Sequence, residues 1–194
     1  MNKRNSEKSV SRSGDKLRLQ IRDMVMVSLC SAIIAVSAQI TIPTTVPFTL
    51  QTLAVFLAGG VLGMKKGTIS VLIYVLLGAA GLPVFAGFKS GVISIIGPTG
   101  GYIIGFIATA AIVGFFRDRF GSKLWISMIS MAIGLLVCYS FGTIWFTVVY
   151  NSTEGGIDLV KVLQLCVLPF LLADAVKIVI AAIISNRINA IVKH

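Results

Sequence analysis

The chain has 194 residues, of which 56% are hydrophobic and only 12% charged, with a mean hydropathy of +0.95 and a formal charge of +10. Soluble domains carry about 25% charged residues, so this chain has too little polar surface to coat a body in water. A soluble enzyme, a disordered regulator and a secreted disulfide scaffold are excluded. What remains is an integral membrane protein in a lipid bilayer.

Residues 1–23 read as a polar, basic tail that contains Lys3, Arg4, Lys8, Arg12, Lys16, Arg18 and Arg22, and 24–194 as a membrane domain. Apolar segments follow at 24–42, 50–64, 68–82, 102–116, 124–149 and 159–185. A span needs roughly 20 apolar residues, so the second and third are short and the fifth is long enough to tilt. Val36-Ser37-Ala38 resembles a cleavage site, but the apolar run continues to Ile42, which predicts a retained first helix. Met64-Lys65-Lys66-Gly67 joins the short pair as a tight helical hairpin with two charges at its tip. The expected fold is all-α, with six transmembrane helices.

Charge placement orients the spans. On alternate sides, 14 of the 17 Lys and Arg fall together: the tail, Lys65, Lys66, Arg117, Arg119, Lys123, Arg187 and Lys193. By the positive-inside rule that side is cytoplasmic and holds both termini. Because the basic residues serve topology and are not interleaved with aromatics on a soluble surface, nucleic acid is not an expected partner.

The outer loops are then 43–49, 83–101 and 150–158. The first is uncharged, with Pro43 and Pro47; the second is rich in Gly and Pro. Irregular backbone at membrane depth is tolerated where it is buried or lines a cavity. These loops are expected to fold over the helix ends as a pocket wall.

Polar groups inside the apolar segments are the candidate chemistry. Asp174 and Lys177, three residues apart, share a helix face. Each charge at the bilayer centre costs about 2.5–3.5 kcal/mol on insertion scales, so the two together mark either an internal ion pair or a ligand site. In the second case Asp174 accepts from ligand N–H groups and Lys177 donates to a carbonyl or carboxylate. Pro169 can restart this helix. Gln51 and Thr49 offer an amide and a hydroxyl beside Phe48, or simply cap a helix. Tyr102 either stacks on a ligand or marks the membrane interface. Cys30, Cys138 and Cys166 sit in apolar runs without metal or disulfide spacing, and the only histidine is His194. With no GxxxxGK[ST] motif, no second intramembrane carboxylate and no internal His base, neither an ATPase nor an enzyme is expected, and no cofactor.

Four stretches resemble the BioY family, the biotin-binding S components of energy-coupling factor (ECF) transporters. They are Val46-Pro47-Phe48-Thr49-Leu50-Gln51, Gly81-Leu82-Pro83-Val84-Phe85-Ala86-Gly87, Gly97-Pro98-Thr99-Gly100-Gly101-Tyr102, and Leu168-Pro169-Phe170 followed by Asp174 and Lys177. The chain departs from the family pattern at Phe88-Lys89-Ser90 and Leu172-Ala173. The resemblance implies a six-helix subunit of the cell membrane that captures biotin on the outer side. Its partners would be a transmembrane T component and two cytoplasmic ATPases. It also implies that Asp174 and Lys177 contact biotin, with Phe48, Thr49, Gln51, Phe85, Gly87 and Tyr102 as further site residues. Ser28, Ala32 and Ala35 on the first helix, loosely similar to the family's AxxxA pattern, are the implied T-component contacts. Other readings are an S component for another vitamin, or a membrane scaffold without a small-molecule ligand.

Overall fold

An apolar chain in lipid must satisfy every backbone N–H and C=O internally, which a helix does within one segment. The computed structural model describes residues 3–42, 46–153 and 158–192. It is helical apart from a turn of 3₁₀ helix and one two-residue ladder. The order is α1 (Lys3–Gln39), β1 (Thr41–Ile42), β2 (Phe48–Thr49), α2 (Gln51–Ala79), a 3₁₀ turn (Ala86–Phe88), α3 (Val92–Ile96), α4 (Gly100–Phe120), α5 (Leu124–Thr153), α6 (Leu159–Cys166) and α7 (Leu168–Val192). Among the described residues five helices are long and apolar enough to cross a membrane: Gln20–Gln39 of α1, α2, α4, Leu124–Ser152 of α5 and Leu168–Ile191 of α7. Leu76, Leu136, Ile144 and Leu172 lie exposed on their outer faces, as lipid-facing residues should. Pro43, Thr44 and Thr45 of the first expected loop, residues 154–157 of the third, and Lys193 and His194 lie outside the described residues.

The short pair of expected segments is one helical element that folds back on itself. Gly63, at φ +81°, interrupts α2. A straight helix would separate Gln51 from Tyr74 by about 35 Å, yet the Gln51 amide donates to the Tyr74 hydroxyl. Gly67 lies against the Ala58 carbonyl, which repeats the reversal near the turn. The hairpin tip therefore sits at Gly63, not across residues 64–67, and Lys65 and Lys66 fall in the first turn of the returning leg. The Met64 N–H, orphaned by the break, donates to Asp118 at 2.9 Å.

Four other boundaries differ from expectation. The first segment ends as helix at Gln39; Thr41 and Ile42 instead pair with Thr49 and Phe48 in a short antiparallel ladder within a fold that is all-helical in class, as expected. Two prolines and four threonines in residues 41–49 discourage continuation of α1. The sixth segment, expected at 159–185, is broken at Val167 into α6 and α7, with Pro169 in the first turn of α7, where its missing N–H costs nothing. Finally, α4 and α5 run past their expected ends to Phe120 and Thr153.

In the packed bundle α4 lies between α2 and α5, α1 covers α2, and α7 closes against α2 and α5. Val55, Phe56, Val71, Ala110, Val113, Met131 and Phe146 form its core. Gly59 lies against the Ala110 carbonyl and Gly114 against Gly63 and Met64, so these small residues serve internal packing. At the Gly63 end, Arg117 donates to Asn189 at 2.9 Å and Asn189 donates to the Gly60 carbonyl at 2.8 Å, tying α2, α4 and α7 together. Gln51 and Tyr74 mark the opposite end, where the pocket lies.

Candidate functional site

α7 turns one stripe inward: Phe170, Asp174, Lys177, Ala181, Ser185 and Asn189 are buried at three- and four-residue spacing. The two charges thus face the bundle, at 3% and 5% exposure. Lys177 Nζ donates to Asp174 Oδ1 at 2.7 Å, to the Thr49 carbonyl at 2.7 Å and to the Thr52 hydroxyl at 3.1 Å. It also sits 4.0 Å above the centre of the Phe48 ring, a cation–π contact. Thr52 in turn donates to Asp174 Oδ1 at 3.2 Å, and Tyr139 of α5 donates to Oδ2 at 2.5 Å. The pair is mutually compensated and hydrogen-bonded by protein groups on both residues, which is how two charges persist away from water.

The first loop is built onto this pair. The β1–β2 ladder holds Phe48 and Thr49, and the Phe48 ring stacks on Phe170 with centroids 6.0 Å apart. The Thr49 hydroxyl accepts from the Gln51 N–H at 3.2 Å and donates to the Gln51 side-chain carbonyl at 3.3 Å. Thr49 thus bonds the first N–H of α2 and stands beside Lys177, which donates to its carbonyl. The second loop closes from the other side. Phe85 packs edge-on against Tyr74 at 5.6 Å, filling the space that Gly78 leaves by lacking a Cβ. Gln39, at the end of α1, donates to the Phe85 carbonyl at 3.1 Å and accepts from the Phe88 N–H at 3.0 Å.

Between these walls lies a pocket of about 770 Å³, counting its mouth. Phe48, Thr49, Gln51, Phe85, Tyr102, Asp174 and Lys177 all line it. Of the residues expected at a site, Gly87 alone is not among the lining: it lies exposed in the 3₁₀ turn at φ +68°, where it shapes the loop. Tyr102 is buried at the start of α4, its hydroxyl 3.5 Å from the Cys166 carbonyl, so it is a wall and not an interfacial residue. The glycines at 97–101 form a turn whose Gly97 carbonyl accepts from Trp145 at 3.0 Å and from the Gly100 N–H at 3.0 Å. Ser28 and Ala32 lie exposed on α1 and Ala35 is half-buried, all away from the pocket.

Sequence reasoning missed Thr52 and Tyr139, both hydrogen-bonded to Asp174, and Lys89, exposed at the pocket lining. A tyrosine flanked by Cys138 and Ser140 inside a long apolar run was the available signal for Tyr139.

The sequence matches the BioY family over residues 6–194. The chain belongs to the BioY family. It is 40% identical over 170 residues to the biotin transporter BioY of Thermotoga maritima, covering 87% of this chain and 96% of that one. It is 41% identical over 172 residues to the probable biotin transporter BioY of Pyrococcus horikoshii, covering 88% and 98%. Its fold is similar to a crystal structure of the S-component for biotin from an ECF-type ABC transporter, with a TM-score of 0.80 and 29% identity over 88% of this chain and 92% of that one. Other family members are thus named for transport.

Proposed function

We propose that this protein is a biotin-binding S component of an ECF-type transporter, with the pocket between α2, α4, α5 and α7 as its binding site. The observation that carries the reading is the buried Asp174–Lys177 pair in the wall of a largely apolar pocket. Biotin has an uncharged cyclic urea with two N–H donors and one carbonyl, an apolar ring and chain, and a terminal carboxylate. A urea suits a polar cluster whose own charges cancel, because its burial brings no further charge into the low-dielectric interior. The apolar walls suit the ring and chain, and the exposed Lys89 suits a carboxylate left near water. Phe48, Thr49, Gln51, Phe85 and Tyr102 complete the contact surface.

The Gly63 end carries Lys65, Lys66, Arg117, Arg119, Lys123 and Arg187, which supports placing it in the cytoplasm and the pocket outside. In that reading the two legs of α2 count separately, giving six membrane segments with both termini cytoplasmic in the cell membrane. The chain has no phosphate-binding loop, so the energy for import comes from partners: a transmembrane T component and two cytoplasmic ATPases. Ser28 and Ala32, exposed on α1, with the half-buried Ala35 beside them, allow the close helix approach that contact with a T component needs. The N-terminal 20 residues are a dispensable cytoplasmic extension, and deleting 1–14 should leave biotin binding intact.

The test is equilibrium binding of biotin to the purified chain in detergent, beside Asp174→Asn and Lys177→Ala. Either substitution takes a charged hydrogen-bonding group out of the pocket wall, worth about 1.5–3 kcal/mol, so each variant that stays folded should lose about tenfold to a hundredfold in affinity. A well-folded parent that binds no biotin would send the assignment to another vitamin, which riboflavin and thiamine titrations would reveal. Failure of every ligand, with unfolding of both variants, would leave a structural ion pair in a scaffold.

A further inference from the structure

Tyr139 stands on α5, to which the sequence assigned no part of the site, and it lines the pocket while remaining buried. Its hydroxyl donates to Asp174 Oδ2 at 2.5 Å. An ionised carboxylate only accepts, at about four lone-pair positions. On Oδ1, Lys177 at 2.7 Å and the Thr52 hydroxyl at 3.2 Å occupy both. On Oδ2, Tyr139 occupies one, and among the described residues no other donor reaches it. The three protons of the Lys177 ammonium are also accounted for, by Asp174, the Thr49 carbonyl and Thr52. The pair therefore offers the pocket one open acceptor position and no free proton.

We infer that Tyr139 is a positioning residue for Asp174. It holds the carboxylate so that the single open position on Oδ2 receives a ring N–H of the ligand and disfavours an acceptor atom there. The inference rests on the biotin reading and deepens it, since a cyclic urea brings the required N–H. Charge-assisted hydrogen bonds are short and strong in a dry site. Without the hydroxyl, Oδ2 loses its anchor and its open position is no longer set by α5. Selectivity for N–H over a blocked nitrogen should then fall, not merely overall affinity.

The experiment measures dissociation constants for biotin and for biotin methylated at its ring nitrogens, on the parent, Tyr139→Phe and Tyr139→Gln, each checked for folding by thermal unfolding in detergent. Tyr139→Phe should weaken biotin by about tenfold or more, the usual scale for a hydrogen bond to a charged group. The methylated ligand has no N–H to position, so its weaker binding should change by less than about twofold on that argument. Tyr139→Gln, whose amide can donate to Oδ2, should recover part of the biotin affinity, and it carries the same two-ligand comparison should Tyr139→Phe fail to fold. Equal weakening of both ligands would overturn the positioning role in favour of simple packing, as would unchanged biotin binding in Tyr139→Phe. A folded parent that binds no biotin overturns the functional reading and this inference together, so the two failures are distinguishable.

Discussion

Thr52 shows how much of the site depends on one small hydroxyl. It accepts from Lys177 at 3.1 Å and donates to Asp174 Oδ1 at 3.2 Å, closing a three-membered polar ring across α2 and α7. Thr52→Val keeps the shape and removes both bonds, leaving a buried charge one partner short, at about 1–3 kcal/mol. The expected result is a loss of biotin affinity of about tenfold, measured by equilibrium binding, with Thr52→Ser close to the parent. Asp174 and Lys177 were legible in the sequence because a charge in an apolar run is costly and therefore conspicuous. Thr52 and Tyr139 were not, because hydroxyl-bearing residues are ordinary in membrane helices. Only knowing which faces meet distinguishes one that bonds a carboxylate from one that bonds its own backbone, as Ser140 does.

Among the elements, the second loop and α2 are fitted to each other at Gly78. A Cβ there would run into the Phe85 ring, which packs on Tyr74 and lines the pocket. Alanine is the better helix former by about 1 kcal/mol, so Gly78→Ala should strengthen α2 considered alone. The prediction has the opposite sign for function: Phe85 is displaced and biotin dissociates faster, by about tenfold if one well-packed aromatic contact is lost. Stopped-flow or filter-binding release rates would check it, and an unchanged rate would show that Phe85 does not close the site. The reversal of α2 was anticipated from the two short apolar runs and the lysines between them. Its position differs from the lysines at 65 and 66 because the backbone reverses at the glycine that accepts φ +81°. The helix break at Val167 was foreshadowed only by Pro169.

For the whole molecule, the two ends differ in kind. One end carries loops and pocket with Lys89; the other carries Lys65, Lys66, Arg117, Arg119, Lys123 and Arg187 around the Gly63 turn. If the second faces the cytoplasm, a membrane-impermeant maleimide should label Lys89→Cys in intact cells. Arg119→Cys should react only after permeabilisation. Cys138 and Cys166 are buried and Cys30 is half-buried in α1, so the parent serves as the background control. Labelling in the reverse pattern would invert the orientation and place the pocket inside the cell.

By itself the sequence determined that this is a helical membrane protein, which end its charges gather at, where its irregular loops lie and which two charges are out of place in lipid. Those properties follow from transfer free energies, which depend on residue type and order along the chain. The tertiary structure alone decided that the first loop contributes a β ladder, that α5 supplies the hydroxyl holding Asp174, and that the pair is neutralised and hydrogen-bonded within a pocket wall. Those properties depend on contacts such as that between Lys177 and Thr49, 128 residues apart. Spacing along one helix can align two side chains on a face, but what stands opposite that face is set by packing among all the helices.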